Sequence, residues 1–341
     1  MARGLIVSKQ KILLGHGSGG RLMHKLIKEL VLPRLGNPIL KELADSAVIN
    51  YKERLAFTTD SFVVSPLKFP GGDIGKLAVC GTVNDLLMSG AQPEYLSLGL
   101  IIEEGLDFGV LQEIVDSIAR AARAAQIKVI AGDLKVVEIG ACDKIFINTS
   151  GIGRVIKRLS LKNIRAGDKI IISGNIAQHG LAVLSKRKNL DLGFDIRSDC
   201  AALNNLILPV LQNTGVVRFM RDPTRGGLAT TLNEIAENSG LGIEIEEKNV
   251  PLSNKVRAAC ELLGIDPLHI ASEGIAVMVV DALASARVLS LLRAHPLGRN
   301  ARIAGKVVAS PKTKGRVILR TSIGSERIVD MLTNEALPRI C

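Results

Sequence analysis

Hydrophobic and polar positions along this chain alternate between two periods. Leu55-Ala56-Phe57-Thr58-Thr59 is a short β-type run that ends at Asp60. Residues 73–89 then place Ile74, Leu77, Ala78, Val83, Leu86 and Leu87 at helical spacing. A strand over Tyr95–Ile102 precedes an amphipathic helix whose apolar stripe is Val110, Leu111, Ile114, Val115, Ile118 and Ala122. Ile127–Ala131 and Ile145–Gly153 complete the β-rich runs of the first half. Arg154–Asp168, with Lys157, Arg158, Lys162 and Arg165, has no core pattern and is expected to be a linker.

The second half repeats the mixture. Strands are predicted at Lys169–Ser173, Gly242–Glu246, Ile275–Val280, Ile303–Val308 and Val317–Arg320, with helices at Gly226–Asn238, Asn254–Leu263 and Ala284–Arg293. After Ser322 a short helix and a tail ending Leu337-Pro338-Arg339-Ile340-Cys341 are expected. The resulting division is residues 1–155, residues 165–322 and a tail over 323–341. No short-period repeat runs through the chain, which argues against a solenoid.

Composition sharpens this into two α/β domains. The chain has 341 residues, 47% of them hydrophobic but only 3% aromatic, so its cores are built from aliphatic side chains, as suits strands under helices. No apolar run reaches the ~18 residues of a membrane span, and the N-terminus lacks the apolar core of a signal peptide. Five cysteines without paired spacing predict a reducing, cytoplasmic setting rather than disulfides or zinc. The formal charge is +11, but the basic residues are dispersed and aromatics for base stacking are scarce. No nucleic-acid partner is therefore expected.

Chemistry is expected at a few places. Gly15-His16-Gly17-Ser18-Gly19-Gly20-Arg21 leads into a helical pattern, where glycines let backbone N–H groups approach an anion; alone, such a loop is as consistent with a plain turn. Asp45, Asp60 and Asp133 border apolar β-type runs, and Asp85 interrupts an apolar helix. A buried, unpaired carboxylate is costly, and a magnesium ion shared with nucleotide phosphates would remove that cost. Each aspartate singly could equally be a cap or a solvated acid. Lys135 follows Asp133 by two residues and shares its side of an extended segment. Arg221-Asp222-Pro223-Thr224-Arg225-Gly226-Gly227 is either a capped helix start or a wall of an anion-binding cleft. Glu273 is a candidate base or a turn acid. His16 and His179 have no metal-ligand spacing. Cys80, Cys142 and Cys260 lie among apolar or small residues, whereas Cys341 ends the chain, where its thiol could swing into a site if a cation such as Arg339 or Lys135 assisted it.

Taken in order, His16-Gly17-Ser18-Gly19-Gly20, Thr59-Asp60-Ser61, Phe69-Pro70-Gly71-Gly72, Gly81-Thr82-Val83-Asn84-Asp85, Gly132-Asp133 with Lys135, Arg221-Asp222 with Thr224-Arg225-Gly226-Gly227, and Pro338-Arg339-Ile340-Cys341 resemble the HypE family of hydrogenase maturation proteins from end to end. The terminal Pro-Arg-Ile-Cys is the most specific part. The other motifs are shared with AIR synthetase, selenophosphate synthetase and thiamine-monophosphate kinase. The resemblance implies a PurM-like two-domain fold whose N-terminal half forms a dimer-spanning β-barrel. It implies ATP and Mg²⁺, with nucleotide contacts at Gly17, Ser18, Gly19, Gly20, Asp60, Asn84, Asp85, Asp133, Asp222, Thr224, Arg225, Gly226 and Gly227. Metal ligation is expected from Asp45, Asp60, Asp85 and Asp133, and catalysis from Cys341, Lys135 and Glu273.

The implied activity is ATP-dependent dehydration of a carbamoyl group on the Cys341 thiol to a thiocyanate, the source of the iron-bound cyanide of nickel–iron hydrogenase. The implied partners are a HypF-type carbamoyltransferase, a HypC–HypD complex and a second copy of the chain. Two rivals stand beside it: a small-molecule kinase or synthetase of the same superfamily, which would have no use for Cys341, and a non-catalytic scaffold. The sequence departs from the family pattern at Leu134, where threonine is expected, at Gln178 for aspartate and at Ser272 for asparagine. The expected consequence of Leu134 is a hydroxyl missing near the phosphates.

Overall fold

The computed structural model of the protein describes residues 11–18, 21–43, 46–309, 313–331, 337 and 339–341. Its first sheet joins β1 (Leu55–Phe62), β4 (Ala91–Glu103), β5 (Lys128–Val137) and β6 (Ile145–Val155), and β2 (Lys68–Phe69) with β3 (Gly72–Asp73) forms a small hairpin. The sheet order is β1-β6-β4-β5, antiparallel except for the parallel β4–β5 pair. Pairing puts Phe57, Thr59 and Ser61 on the same side as Ile152, Ser150 and Asn148, and as Tyr95, Ser97 and Gly99. That side is open: Phe57 is 69% exposed.

The opposite side carries Thr58, Asp60 and Phe62 and is covered by the helix Ile74–Met88. Asp73 starts this helix by accepting the Lys76 N–H at 3.0 Å. Nearly every residue of the helix is buried, because it is packed between the first sheet and the second half of the chain. Gly81 permits the contact with β1: a Cβ there would lie 3.0 Å from the Phe62 ring and 3.9 Å from Asp60 Oδ2. One turn later Asp85 faces the same strand. The helix Phe108–Ala124, capped by Asp107, buries the predicted stripe of Leu111, Ile114, Val115, Ile118 and Ala122.

The second sheet has seven strands, β7 (Lys169–Ile172), β8 (Val217–Arg221), β9 (Gly242–Glu246), β10 (Val277–Val280), β11 (Arg302–Val308), β12 (Val317–Arg320) and β13 (Glu326–Val329), in the order β13-β12-β9-β11-β7-β10-β8. All neighbours are antiparallel except β9 and β12. Helices Gln178–Lys188 and Asn204–Thr214, which the apolar spacing did not announce, belong to this half. The residues after Ser322 correct a second expectation. Among the described residues of that stretch Glu326–Val329 forms the outermost strand and not a helix, because Val329 is buried in register with Val317; the rest of the expected helix lies outside the described residues. One aliphatic core runs from the helix Ile74–Met88 to Leu203, Leu206 and Met278 in the second half.

Candidate active site

Asp60 and Thr58 point from β1 toward the helix Ile74–Met88, and Thr58 Oγ1 donates to Asp85 Oδ2 at 3.0 Å. From the other half, β8 delivers Asp222 into a turn closed by Gly226 and Gly227, both at positive φ. Gly227 cannot carry a side chain: a Cβ would meet the carbonyl oxygens of Ile270 and Leu268 at 2.7 Å. The helix Gly227–Ser239 starts there, against the loop that carries Glu273. Ser272 N donates to Pro223 O at 2.9 Å, and Asp199 Oδ2 accepts the Glu273 and Gly274 N–H groups at 3.1 and 3.2 Å.

These acids strain one another. Burial, then the Asp222 charge, pushes Asp85 up to about 7, with Thr58 opposing and Asp60 adding to the rise. Burial raises Asp222 to about 6, against hydrogen bonding and Arg221. Asp60 is also raised by burial, with the Ser61 N–H and Arg225 pulling down. Glu273, 4% exposed, is pushed well above the carboxylate range by burial and by Asp222, Asp199, Asp60 and Asp85. Its Oε1 has no hydrogen-bond partner among the described residues. Burial and these neighbouring charges favour the protonated form of this acid over its anion.

The chain's last residue lies against this group. Arg225 Nη2 is 4.0 Å from Cys341 Sγ. Burial and the Glu273 charge lift the thiol to about 11, and Arg225 pulls the other way. The cation beside the sulfur is thus Arg225, and the two expected from sequence lie elsewhere. Arg339 binds Asp143 at 2.8 Å, and Lys135 binds Asp133 at 2.6 and 2.7 Å.

Lys135 and Asp133 stand on β5 with their side chains 58% and 61% exposed. Lys135 holds Asp133 below its ordinary value, and the charge acting on that carboxylate is lysine's rather than the other acids'. In this structure Asp133 is paired with Lys135 and not with Asp60 or Asp85. Among the described residues no three acids, histidines or cysteines converge to metal-ligand geometry, and Asp45 lies outside those residues. The loop Leu14–Gly17 packs beside Lys135, since a Cβ on Gly17 would meet Val136 N at 2.2 Å. Ser18 is exposed and bonds Gly15 O, while Gly19 and Gly20 lie outside the described residues.

Asn84, expected at the nucleotide, is engaged by backbone groups of the second half. It is 1% exposed; Nδ2 donates to Ala201 O and Glu273 O at 3.0 Å, and Oδ1 accepts Leu203 N–H at 2.9 Å. A side chain so committed joins the two halves and has no donor left for a nucleotide. Leu134 is likewise engaged elsewhere. It faces inward from β5 and lines an apolar pocket with Met23, Ile27, Leu98 and Leu100, away from the polar side of the strand. Ser272 supplies a structural hydroxyl: its Oγ accepts the N–H of Ala177, a left-handed residue, at 2.9 Å. Gln178 Nε2 donates to Arg197 O at 3.5 Å. Asp199, which orients the Glu273 backbone, carried no signal in the sequence because it sits in a loop without periodicity.

Residues 43–155 match the AIR synthase related protein N-terminal domain and residues 165–318 its C-terminal domain. A carbamoyl dehydratase HypE of Bradyrhizobium diazoefficiens is 50% identical over 332 residues, 96% of this chain and 95% of that protein. The chain belongs to the HypE family. A solved HypE in complex with ATP superposes with a TM-score of 0.94 at 46% identity, covering 96% of this chain and 99% of that one. A HypE–HypF complex gives 0.79 at 45%, covering 90% and 99%. The PurM-like mixed α/β fold expected from the HypE resemblance is thereby established. Among the described residues no helix is long and apolar enough to cross a membrane.

Proposed function

We propose that this chain is a carbamoyl dehydratase that carries its substrate on Cys341, uses ATP to remove oxygen from it, and leaves a thiocyanate. The observation that carries this reading is the docked thiol, 4.0 Å from Arg225 and within the electrostatic reach of Glu273. A kinase of the same fold acting on a free small molecule has no use for a cysteine there.

The chemistry needs help because an amide oxygen is a poor leaving group. Transfer of the γ-phosphoryl to that oxygen lets phosphate depart instead, and two protons must leave nitrogen as the C≡N bond forms. The balance is thiocarboxamide plus ATP giving thiocyanate, ADP and phosphate. Glu273, in its carboxylate form, would take one of those protons, and its unpartnered Oε1 supports that reading. Arg225, Thr224 and the first amides of the helix after Gly226-Gly227 would meet the anionic leaving group, and Gly17, Ser18 and Lys135 would supply a further phosphate contact, with Gly19 and Gly20 kept as expectations from the resemblance. Tethering the substrate raises its effective concentration and keeps cyanide from being freed.

Asp60, Asp85 and Asp222 offer hard oxygen donors whose mutual repulsion a divalent cation would relieve, once they were drawn from their present positions into ligand geometry. When bound, the ion would neutralise phosphate charge. Asp133 joins that set only by giving up Lys135, and Asp45 stays an expectation from the resemblance.

The same reading assigns residues 1–155 and 165–322 as two domains and 323–341 as the segment carrying the acceptor, which the matched stretches 43–155 and 165–318 support. It assigns a homodimer through the open side of the first sheet, where Phe57 and Ile101 are exposed. A HypF-type carbamoyltransferase loads Cys341, and a HypC–HypD complex takes the product. The test is to incubate the chain with that transferase, carbamoyl phosphate and ATP and to weigh the C-terminal peptide. A carbamoyl adduct that loses one water only with ATP is expected; an unmodified Cys341 defeats the reading.

A further inference from the structure

Residues 339–341 are tied down along their length. Val63 N–H donates to Cys341 O at 3.1 Å and Ser65 N–H to Arg339 O at 3.4 Å, so the segment lies alongside residues 63–65 like an added strand. Two side chains of one helix, Gln178–Lys188, then clasp it. Arg187 donates through Nε to Ser65 O at 2.6 Å and through Nη2 to Arg339 O at 2.5 Å, bridging the two paired segments. Two turns earlier, His179 places Nε2 2.9 Å from Ile340 O.

The histidine is preset for this bond. A carbonyl only accepts, so Nε2 carries the hydrogen. Burial depresses the ring to about 4, which keeps it neutral and makes Nδ1 an acceptor. Ser198 Oγ, 2.8 Å away, is then the donor to Nδ1, and its lone pair takes the Cys200 N–H at 3.0 Å. The Phe69 ring packs edge-on at 5.2 Å and fixes the imidazole plane. Each hydrogen in the chain Cys200–Ser198–His179–Ile340 has one direction.

A half-buried sulfur held in this way lies beside Arg225 and Glu273, and a loading protein would reach it more easily with the segment released. We infer that His179 and Arg187 are positioning residues that latch the C-terminal segment into the site, so that strengthening the latch favours the ATP-dependent step and weakening it favours loading. This rests on the function proposed above for its second half only, since the latch can be read without any carbamoyl chemistry.

The experiment uses the full-length chain. Alkylation of Cys341 by iodoacetamide, read as the mass of the C-terminal peptide, reports the released fraction. Arg187→Ala and His179→Ala are each expected to speed it about five- to tenfold, the weight of one or two lost hydrogen bonds, with Arg187→Lys between wild type and Arg187→Ala. Arg187 lies toward the surface, so its variants remain informative if His179→Ala fails to fold. In the same variants, carbamoylation by the transferase should rise while ATP-dependent loss of water from the adduct falls. Alkylation rates equal to wild type in the Arg187 variants overturn the latch, as does a parallel fall of loading and dehydration. Failure of the carbamoyl adduct to form in wild type strikes the functional reading instead, and the alkylation rates still decide the latch.

Discussion

Cys341 Sγ stands 4.0 Å from Arg225 Nη2, and this single cation opposes the burial and the negative neighbours that lift the thiol to about 11. In the docked form, thiolate is therefore scarce at neutral pH. Replacing Arg225 with glutamine should move the titration of Cys341 to higher pH, followed as ultraviolet thiolate absorbance in a difference against Cys341→Ser. A midpoint that stays put, or falls, would show that the guanidinium does not act on the sulfur.

Asp85 invites a stability measurement. Its folded value, about 7, lies above the ordinary 3.8, so the folded chain binds that proton more tightly than the unfolded one. The protonated form is favoured at low pH, and stability drains away as pH rises from about 4 through about 7. Asp85→Asn removes that liability while keeping an oxygen for Thr58. The nucleotide-free variant should be more stable than wild type at pH 8, by on the order of a few kcal/mol, and no different at pH 4. Magnesium and ATP should stabilise wild type and fail to stabilise the variant. Urea denaturation at the two pH values reads both effects.

Lys135 separates chemistry from folding. Its ion pair with Asp133 is exposed on both sides, and exposed pairs contribute roughly 0–1 kcal/mol. Lys135→Ala should melt with wild type, yet slow the ATP-dependent step roughly a hundredfold or more if the cation meets the phosphates. Equal melting with equal single-turnover rates would remove Lys135 from the mechanism.

Gly227→Ala should be costly in the opposite sense. The residue is left-handed at φ +64°, and a Cβ would press on two carbonyl oxygens. The left-handed conformation alone costs about 1–2 kcal/mol for a residue with a Cβ, and the contacts add to it. Denaturant midpoints should fall with an unchanged slope.

Much of the fold was legible because aliphatic periodicity is strong here. The helix Ile74–Met88 and the strands β4, β6, β9 and β12 follow from spacing alone. The helix Gln178–Lys188 did not, because its buried turn is His179-Gly180-Leu181-Ala182-Val183 and its last turn is Lys186-Arg187-Lys188, which together leave no stripe. β13 leaves no strand pattern in the sequence because it contributes one buried residue, Val329, to an edge that is otherwise exposed. In the site, Asp60, Asp85, Asp222, Glu273 and Cys341 could be picked out as acids and a thiol in odd places, but which of them meet is a property of the packing between halves. That packing put Asp222 with Asp60 and Asp85 and left Asp133 with Lys135. Asn84 is legible only in part for a related reason: a motif shows that an amide is wanted, not whether it serves a ligand or the backbone.

The amide of Asn84 has a mechanical meaning. Three hydrogen bonds from one buried side chain pin the helix of the first half to Ala201, Leu203 and Glu273 of the second, inside a core shared by both. A body riveted there has no clamshell to shut on a nucleotide. Whatever travel the catalytic cycle demands must be made by the few residues that bear the sulfur, and X-ray scattering profiles with and without ATP should superimpose.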